Sequence, residues 1–203
     1  MKKTFTIFLI MVLMMSLAAC GGQDDSGTQD KQAGESYTIT DMLGREVEIP
    51  ADVNTIAAVN SAARFITYAG AADKLVGVTD LDKKGEPGMP YAYVNRESFA
   101  DLASTGSGGS EDTTYAEELV TLAPDLIFAY TSDTAALDEL SRQTGIPVVG
   151  LYATDMFAED FLGSLTLVGS VMGTEEQADK VAEAIRGWQK DLSDRTKDIA
   201  EED

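Results

Sequence analysis

The sequence predicts a three-layer α/β lobe around a mostly parallel sheet, followed by a long helix. Three observations predict it. The runs 55–59 (Thr-Ile-Ala-Ala-Val) and 75–78 (Leu-Val-Gly-Val) are short, apolar and strand-sized, with a helical pattern between them. Strand, helix, strand with short joints is a crossover unit, which implies parallel pairing. Apolar runs at 126–129 and 146–151 each follow a helical segment, so the unit recurs. Finally, Ala178, Val181, Ala182, Ile185, Trp188, Leu192 and Ile199 fall on one helical stripe.

The chain opens on Met1, Lys2 and Lys3, then an almost wholly apolar stretch from 5 to 17. That stretch is short for a membrane span, which needs about 20 residues. It suits the core of a secretory signal. Leu17, Ala18 and Ala19 lead into Cys20, the single cysteine, and the segment resembles a bacterial lipobox. The resemblance implies cleavage before Cys20 and a lipid on it that holds the chain to the outer face of a membrane. The alternative is an incidental thiol ending a hydrophobic tail. Residues 1–20 are therefore read as a lipoprotein signal peptide. Residues 21–36 are polar, cannot bury enough surface to fold, and read as a disordered spacer.

Residues 37–40 and 46–49 alternate apolar and polar and form a hairpin around Asp41 to Gly44. After strand 55–59, Asn60 and Ser61 are good capping types, and 62–69 is a helix with Ala62, Phe65, Ile66 and Ala69 on one face. Ligands of parallel sheets sit beyond the carboxyl ends of the strands, where Asn60, Ser61 and Arg64 lie. From Val78 to about Tyr115 the pattern dissolves. Asp80, Asp82, Lys83 and Lys84 read as solvated, Pro87, Gly88 and Pro90 oppose helix, and 91–94 reads as a short strand or packed loop.

The tract 105–110 (Thr-Gly-Ser-Gly-Gly-Ser) is either a linker or a ligand-lining loop through Ser107, Gly108, Gly109 and Ser110. It is no phosphate-binding P-loop, because no Gly-Lys-Ser/Thr follows. Thr114 and Glu117 have capping-box spacing, as do Thr174 and Gln177. Asp133 or Ser132 opens a helix with Ala136, Leu137 and Leu140 on its stripe, and Gly145 closes it. Pro147 places strand 146–151 at a sheet edge. Residues 156–171 are apolar at short intervals, with Gly163 and Gly169 marking tight packing or a break. The lobe is assigned to 37–172 and the long helix to 173–203.

Composition excludes several function classes. A net charge of -20 disfavours nucleic acid, whose phosphates need clustered Lys and Arg. With no histidine, a Ser-His-Asp site is impossible and the commonest general base is missing. No acid–base pair has motif support, so the reading is of a protein that is not an enzyme.

Several stretches together resemble a known family. They are 41–50 (Asp-Met-Leu-Gly-Arg-Glu-Val-Glu-Ile-Pro), Gly70 with 73–78, 117–126 (Glu-Glu-Leu-Val-Thr-Leu-Ala-Pro-Asp-Leu), 145–149 and 167–173. In order and spacing they resemble ABC-transporter substrate-binding lipoproteins for iron-siderophore, haem, cobalamin and related metal complexes. The resemblance covers residues 37–199 and implies an N-terminal lobe plus a rigid connecting helix, with a second lobe missing from this chain. It implies an iron or related metal-complex ligand and an ABC permease as partner. Glu117, or its neighbour Glu118, would dock on that permease. The chain would be a monomer, lipid-anchored on the extracytoplasmic face of the cell membrane, with no cofactor but the lipid on Cys20.

Two departures matter. Many relatives carry Ser-Pro and then Thr-Glu at the first helix, where this chain has Val59-Asn60 and Ala63-Arg64. The missing histidine argues against relatives that hold bare zinc or manganese. The rival ligand is an oxyanion such as molybdate or tungstate, which one Arg and backbone N–H groups suit. A siderophore or haem needs a wider, aromatic cleft, for which Tyr91, Tyr93, Tyr130 and Tyr152 are candidates. Outside transport, the rival is a signalling or structural lipoprotein.

Overall fold

The computed structural model describes residues 36–109 and 113–197. The signal, Cys20, most of the spacer, Ser110 and Ile199 lie outside these residues. β1 (Ser36–Thr40) and β2 (Glu46–Pro50) form an antiparallel hairpin in which Tyr37 faces Ile49 and Ile39 faces Val47. Period-two alternation buries Val47 and Ile49 while the glutamates stay outside.

Five parallel strands follow: β3 (Ile56–Val59), β4 (Leu75–Val78), β5 (Ala103–Ser104), β6 (Leu126–Tyr130) and β7 (Val148–Leu151). Their spatial order is β5-β4-β3-β6-β7. Eight helices connect or follow them among the described residues: α1 (Ala63–Tyr68), α2 (Asp80–Lys84), α3 (Pro90–Val94), α4 (Arg96–Ala100), α5 (Ala116–Leu122), α6 (Thr134–Thr144), α7 (Glu159–Met172) and α8 (Glu175–Thr196). On one face of the sheet Phe65, Ile66, Phe161, Leu165, Val168 and Ile185 bury against Ala58, Phe128 and Val149. On the other, Leu119, Leu137 and Leu140 from α5 and α6 cover Ala57, Ile127 and Val148. That is the expected three-layer α/β arrangement. Full burial of each such side chain stabilises the lobe by about 1.5–3 kcal/mol.

The hairpin is held to the sheet by one carboxylate. The Asp41 side chain is fully buried and accepts from Leu43 N, Arg45 N, Arg45 Nη1 and Gly150 N at 2.8–3.0 Å. Met42 N donates to the Gly150 carbonyl at 3.1 Å. The close approach needs glycine, because a Cβ on Gly150 would lie 2.5 Å from Leu43 Cδ1 and 2.9 Å from Asp41 Oδ2. Arg45 also bonds the Val148 carbonyl and Asp138.

Several expectations are corrected. Residues 90–94 are helical, because Pro90 sits at the first helical position, where it has no N–H to lose. The stretch 80–100 holds three short helices, and the two-residue β5 then pairs through Gly77 and Ala103. Asp82 is buried, not solvated: it forms a capping box with Thr79 and accepts from Tyr91 Oη at 2.7 Å. Neither other predicted capping box forms. Tyr115 and Thr174 stand at the N-caps of α5 and α8 without side-chain cap bonds, and Thr174 Oγ1 is buried without a partner. Asp133 does cap α6, accepting from Ala136 N at 3.1 Å, though Ala136 itself is exposed. Helix α7 runs unbroken through Gly163 and Gly169.

Helix α8 is 22 residues long, about 33 Å at 1.5 Å per residue. Ala178, Ala182 and Ile185 are buried against the lobe, while Trp188 and Leu192, on the same stripe, are 58 % and 50 % exposed. No described helix is long and apolar enough to cross a membrane.

Two predictions test these ties. Breaking a buried charge pair from one side costs about 3–5 kcal/mol. Asp41→Ala should therefore lower the urea-unfolding free energy by about 3 kcal/mol, with Asp138→Ala far milder because Asp138 is exposed. Second, Asp125 accepts from Asn54 N, Thr55 N and Thr55 Oγ1 at 2.9–3.0 Å. Burial pushes its pKa up, but these bonds outweigh it and hold the carboxyl below its usual range. Its stabilisation is thus present above the unfolded-state value of about 4 and lost as pH falls through the lower folded value. Asp125→Asn should flatten that part of the acid-unfolding curve measured by circular dichroism.

Candidate functional site

Strand β3 lies between β4, which follows it in the chain, and β6, which arrives later from the other side. The chain leaves the carboxyl ends of β3 and β6 in opposite directions, over opposite faces of the sheet. Such a reversal opens a crevice at the strand ends, where ligands of open α/β sheets bind. Asn60 and Ser61 follow β3 there, and Tyr130 ends β6 with Thr131 just beyond it.

Asn60 adopts a left-handed backbone, φ 55°. Asparagine tolerates this better than most residues. Neither Asn60 nor Ser61 caps α1, contrary to expectation; the N-cap is Ala62, and the Ser61 carbonyl accepts from Arg64 N. Asn60 instead lines a small cavity of about 250 Å³ with Val59, Thr114, Thr131, Leu137 and Gln143.

Arg64 is on the other side of the strand ends, in the first turn of α1. Arg45, Arg96, Arg142, Arg186 and Arg195 each make an ion pair, and Arg64 makes none among the described residues. Its Nε is buried without a hydrogen-bond partner. Its guanidinium carbon lies 5.0 Å from the Phe65 ring centre, 5.4 Å from Phe161 and 5.6 Å from Tyr130. Cations within about 6 Å of a ring centre are attracted by its quadrupole. The rings also pack on each other, Phe65 to Phe161 at 4.9 Å and Phe65 to Tyr130 at 5.5 Å.

Tyr130 was expected to meet ligand, but its hydroxyl donates to the Ala153 carbonyl at 2.9 Å, so its ring rather than its oxygen faces Arg64. The other candidate tyrosines do not join this cluster. Tyr91 is buried and bonded to Asp82, and burial first, then the Asp82 charge and bond, push its pKa up against the opposing pull of Arg64. Tyr93 stacks with Arg96 and is half exposed. The Tyr152 backbone is fixed by Ser164, whose hydroxyl bonds both its N–H and its carbonyl.

The glycine-rich tract is built into the lobe. The Gly106 and Ser107 carbonyls accept from Asp80 N and Leu81 N at 2.8 and 3.2 Å. The Thr105 hydroxyl bonds the Ala58 carbonyl, and Ser107 Oγ accepts from Thr113 N. Gly108, at φ 72°, passes so close to α2 that a Cβ would sit 2.7 Å from Thr79 Oγ1. The tract's described bonds run to α2, β3, β4, Thr113 and Tyr115, and none of them ties it to Arg64; Gly109 is exposed. Glu117 and Glu118 are exposed in the first turn of α5.

Sequence reasoning named Arg64 and Tyr130 separately, without setting one beside the other, and missed Phe161, which comes from α7 and was read only as core. Its position in an apolar stripe gave no signal that it meets a charge.

An α/β lobe with a crevice at the carboxyl ends of its strands, leading into a long terminal helix, defines a binding-protein lobe. The chain belongs to the periplasmic binding protein family, which it matches over residues 56–201. No curated protein matches it. Similar solved structures include a periplasmic solute binding protein of Veillonella parvula, 24 % identical with a TM-score of 0.62 over 80 % of this chain and 47 % of that one. The molybdate periplasmic binding protein MolA of Haemophilus influenzae is 22 % identical, with a TM-score of 0.67 over 81 % and 55 %. The periplasmic vitamin B12 binding protein BtuF of Vibrio cholerae is 20 % identical, with a TM-score of 0.54 over 72 % and 52 %. The chain spans about half the length of these structures, and the likeness is one of fold.

A buried donor without an acceptor costs about 1–3 kcal/mol, which the ring contacts offset in part. Arg64→Met should therefore leave the unfolding free energy unchanged or raise it by about 1 kcal/mol. Denaturant titration checks this, and a loss beyond about 2 kcal/mol would mark Arg64 as a structural residue.

Proposed function

We propose that this chain is the N-terminal lobe and connecting helix of an extracytoplasmic solute-binding lipoprotein that delivers an iron complex or related metal complex to an ABC importer. The observation that carries this reading is Arg64, the described arginine without an ion pair, at the strand ends of a strongly acidic chain. Ligand anion supplies the missing partner, and a guanidinium offers it two parallel donors. The second reading is an oxyanion such as molybdate, favoured by the same arginine and by the structural likeness to a molybdate binding protein.

In this reading Asn60, Ser61 and the 107–110 loop border the ligand, and a second lobe closes over it. Lipid on Cys20 anchors a monomer outside the cell membrane. Glu117 and Glu118, exposed in the first turn of α5, face the permease. Single exposed ion pairs are worth under about 1 kcal/mol. Glu117→Gln or Glu118→Gln alone should thus weaken docking on permease vesicles less than fivefold, and the double variant more.

The test of the ligand is metal analysis and mass spectrometry of protein purified from its host. A metal accompanied by an organic chelator is the expected result, whereas molybdenum or tungsten without one would establish the second reading. Titrated with the recovered ligand, Arg64→Lys should bind more weakly and Arg64→Ala about tenfold to a hundredfold more weakly than the native protein, given 1.5–3 kcal/mol for a charge-assisted bond. Unchanged affinity in folded Arg64→Ala removes Arg64 from the site.

A further inference from the structure

We propose that Phe161 and Tyr130 are positioning residues for Arg64, and that with Phe65 they leave its guanidinium one usable face, the Nη1–Nη2 edge. The proposal deepens the reading of Arg64 as the ligand's anion contact and rests on it for its functional meaning.

The three rings come from three elements: Phe65 from α1, Tyr130 from β6 and Phe161 from α7. Phe65 and Phe161 are almost completely buried. The Tyr130 ring is pinned by its hydroxyl, which donates to the Ala153 carbonyl beyond β7. None of these rings can turn away without disturbing the core. They close around the guanidinium, with all three centres within 5.6 Å of its central carbon. Nε is sealed among them with no acceptor.

An arginine binds an oxyanion either side-on, through Nε and one Nη, or end-on, through both Nη groups. Burial of Nε removes the side-on mode. The ligand must therefore offer two coplanar oxygens to the end of the guanidinium, as a carboxylate does. A free arginine side chain carries about 2 kcal/mol of rotamer entropy, and the rings remove part of it before the ligand arrives. Phe161, buried in the core, thus acts on ligand selection through Arg64. Lysine could not substitute, because its ammonium neither stacks nor offers an edge.

The test needs no ligand, so it can fail while the reading of Arg64 stands, and the ligand titration of Arg64→Ala can fail while this stands. It is the nitrogen-15 spectrum of arginine Nε–Hε groups in the intact chain, with the Arg64 signal assigned by its loss in Arg64→Met. The expected Arg64 signal lies apart from those of Arg96, Arg142, Arg186 and Arg195, and its proton exchanges with water at least about tenfold more slowly. Phe161→Leu should return shift and exchange to the range of the other arginines, and Phe161→Tyr should preserve both. If Phe161→Leu does not fold by circular dichroism, Tyr130→Leu makes the same comparison. A native Arg64 signal inside the common cluster, or one unmoved in either folded leucine variant, overturns the proposal.

Discussion

Strand β3 is hydrogen-bonded along both edges and buried on both faces, and the later elements are placed relative to it. Its four residues, Ile56 to Val59, are apolar because both faces meet side chains from helices. Because β3 is the first strand of this sheet in the chain and is paired on both sides, the chain runs outward to β4 and β5 and must then cross back to β6. That requirement opens the crevice at the ends of β3 and β6. The position of Arg64 follows, since α1 starts four residues after β3 ends. Core formation and site formation are here one geometric event.

Arg64 stands at the strand ends with no ion pair among the described residues. Arg142 and Arg195 are neutralised by exposed carboxylates on their own helices, at the small energies typical of such pairs. Arg64 has aromatic faces in place of a carboxylate. Rings attract a guanidinium but leave its net charge intact, whereas a carboxylate would cancel it. The low-dielectric surroundings strengthen whatever anion finally pairs with it. Buried Asp82, by contrast, is held by hydrogen bonds from Thr79 and Tyr91.

The sequence announces elements whose residues answer to their own neighbours and hides those that answer to distant ones. Strands β3, β4, β6 and β7 were legible because a doubly covered strand is apolar throughout. The Asp133 cap was legible because its partner, Ala136 N, is three residues away. β5 was not, since two residues carry no periodicity and its place is fixed by Gly77. Asp82 read as solvated because nothing local says that Tyr91 will fold back over it. The spacing at Thr114 and Glu117 satisfied the rule for a capping box, yet Tyr115 took the N-cap. The place of Arg64 near the strand ends was legible from its position just after a strand. Its aromatic surroundings were not, because Phe161 looks like any other core residue of α7.

The hairpin turn has a consequence beyond its own stability. β7 is the last strand of the parallel sheet, and its outer N–H and C=O groups are where another chain would add a strand. The Asp41 carboxylate takes the Gly150 N–H, Met42 N takes the Gly150 carbonyl, and Arg45 takes the Val148 carbonyl. The turn therefore occupies the positions that intermolecular pairing would use. At the far side, β5 is only two residues long, too short to template anything. The lobe closes one border with a plug and the other by brevity, which protects the parallel sheet from edge-to-edge aggregation without closing it into a barrel.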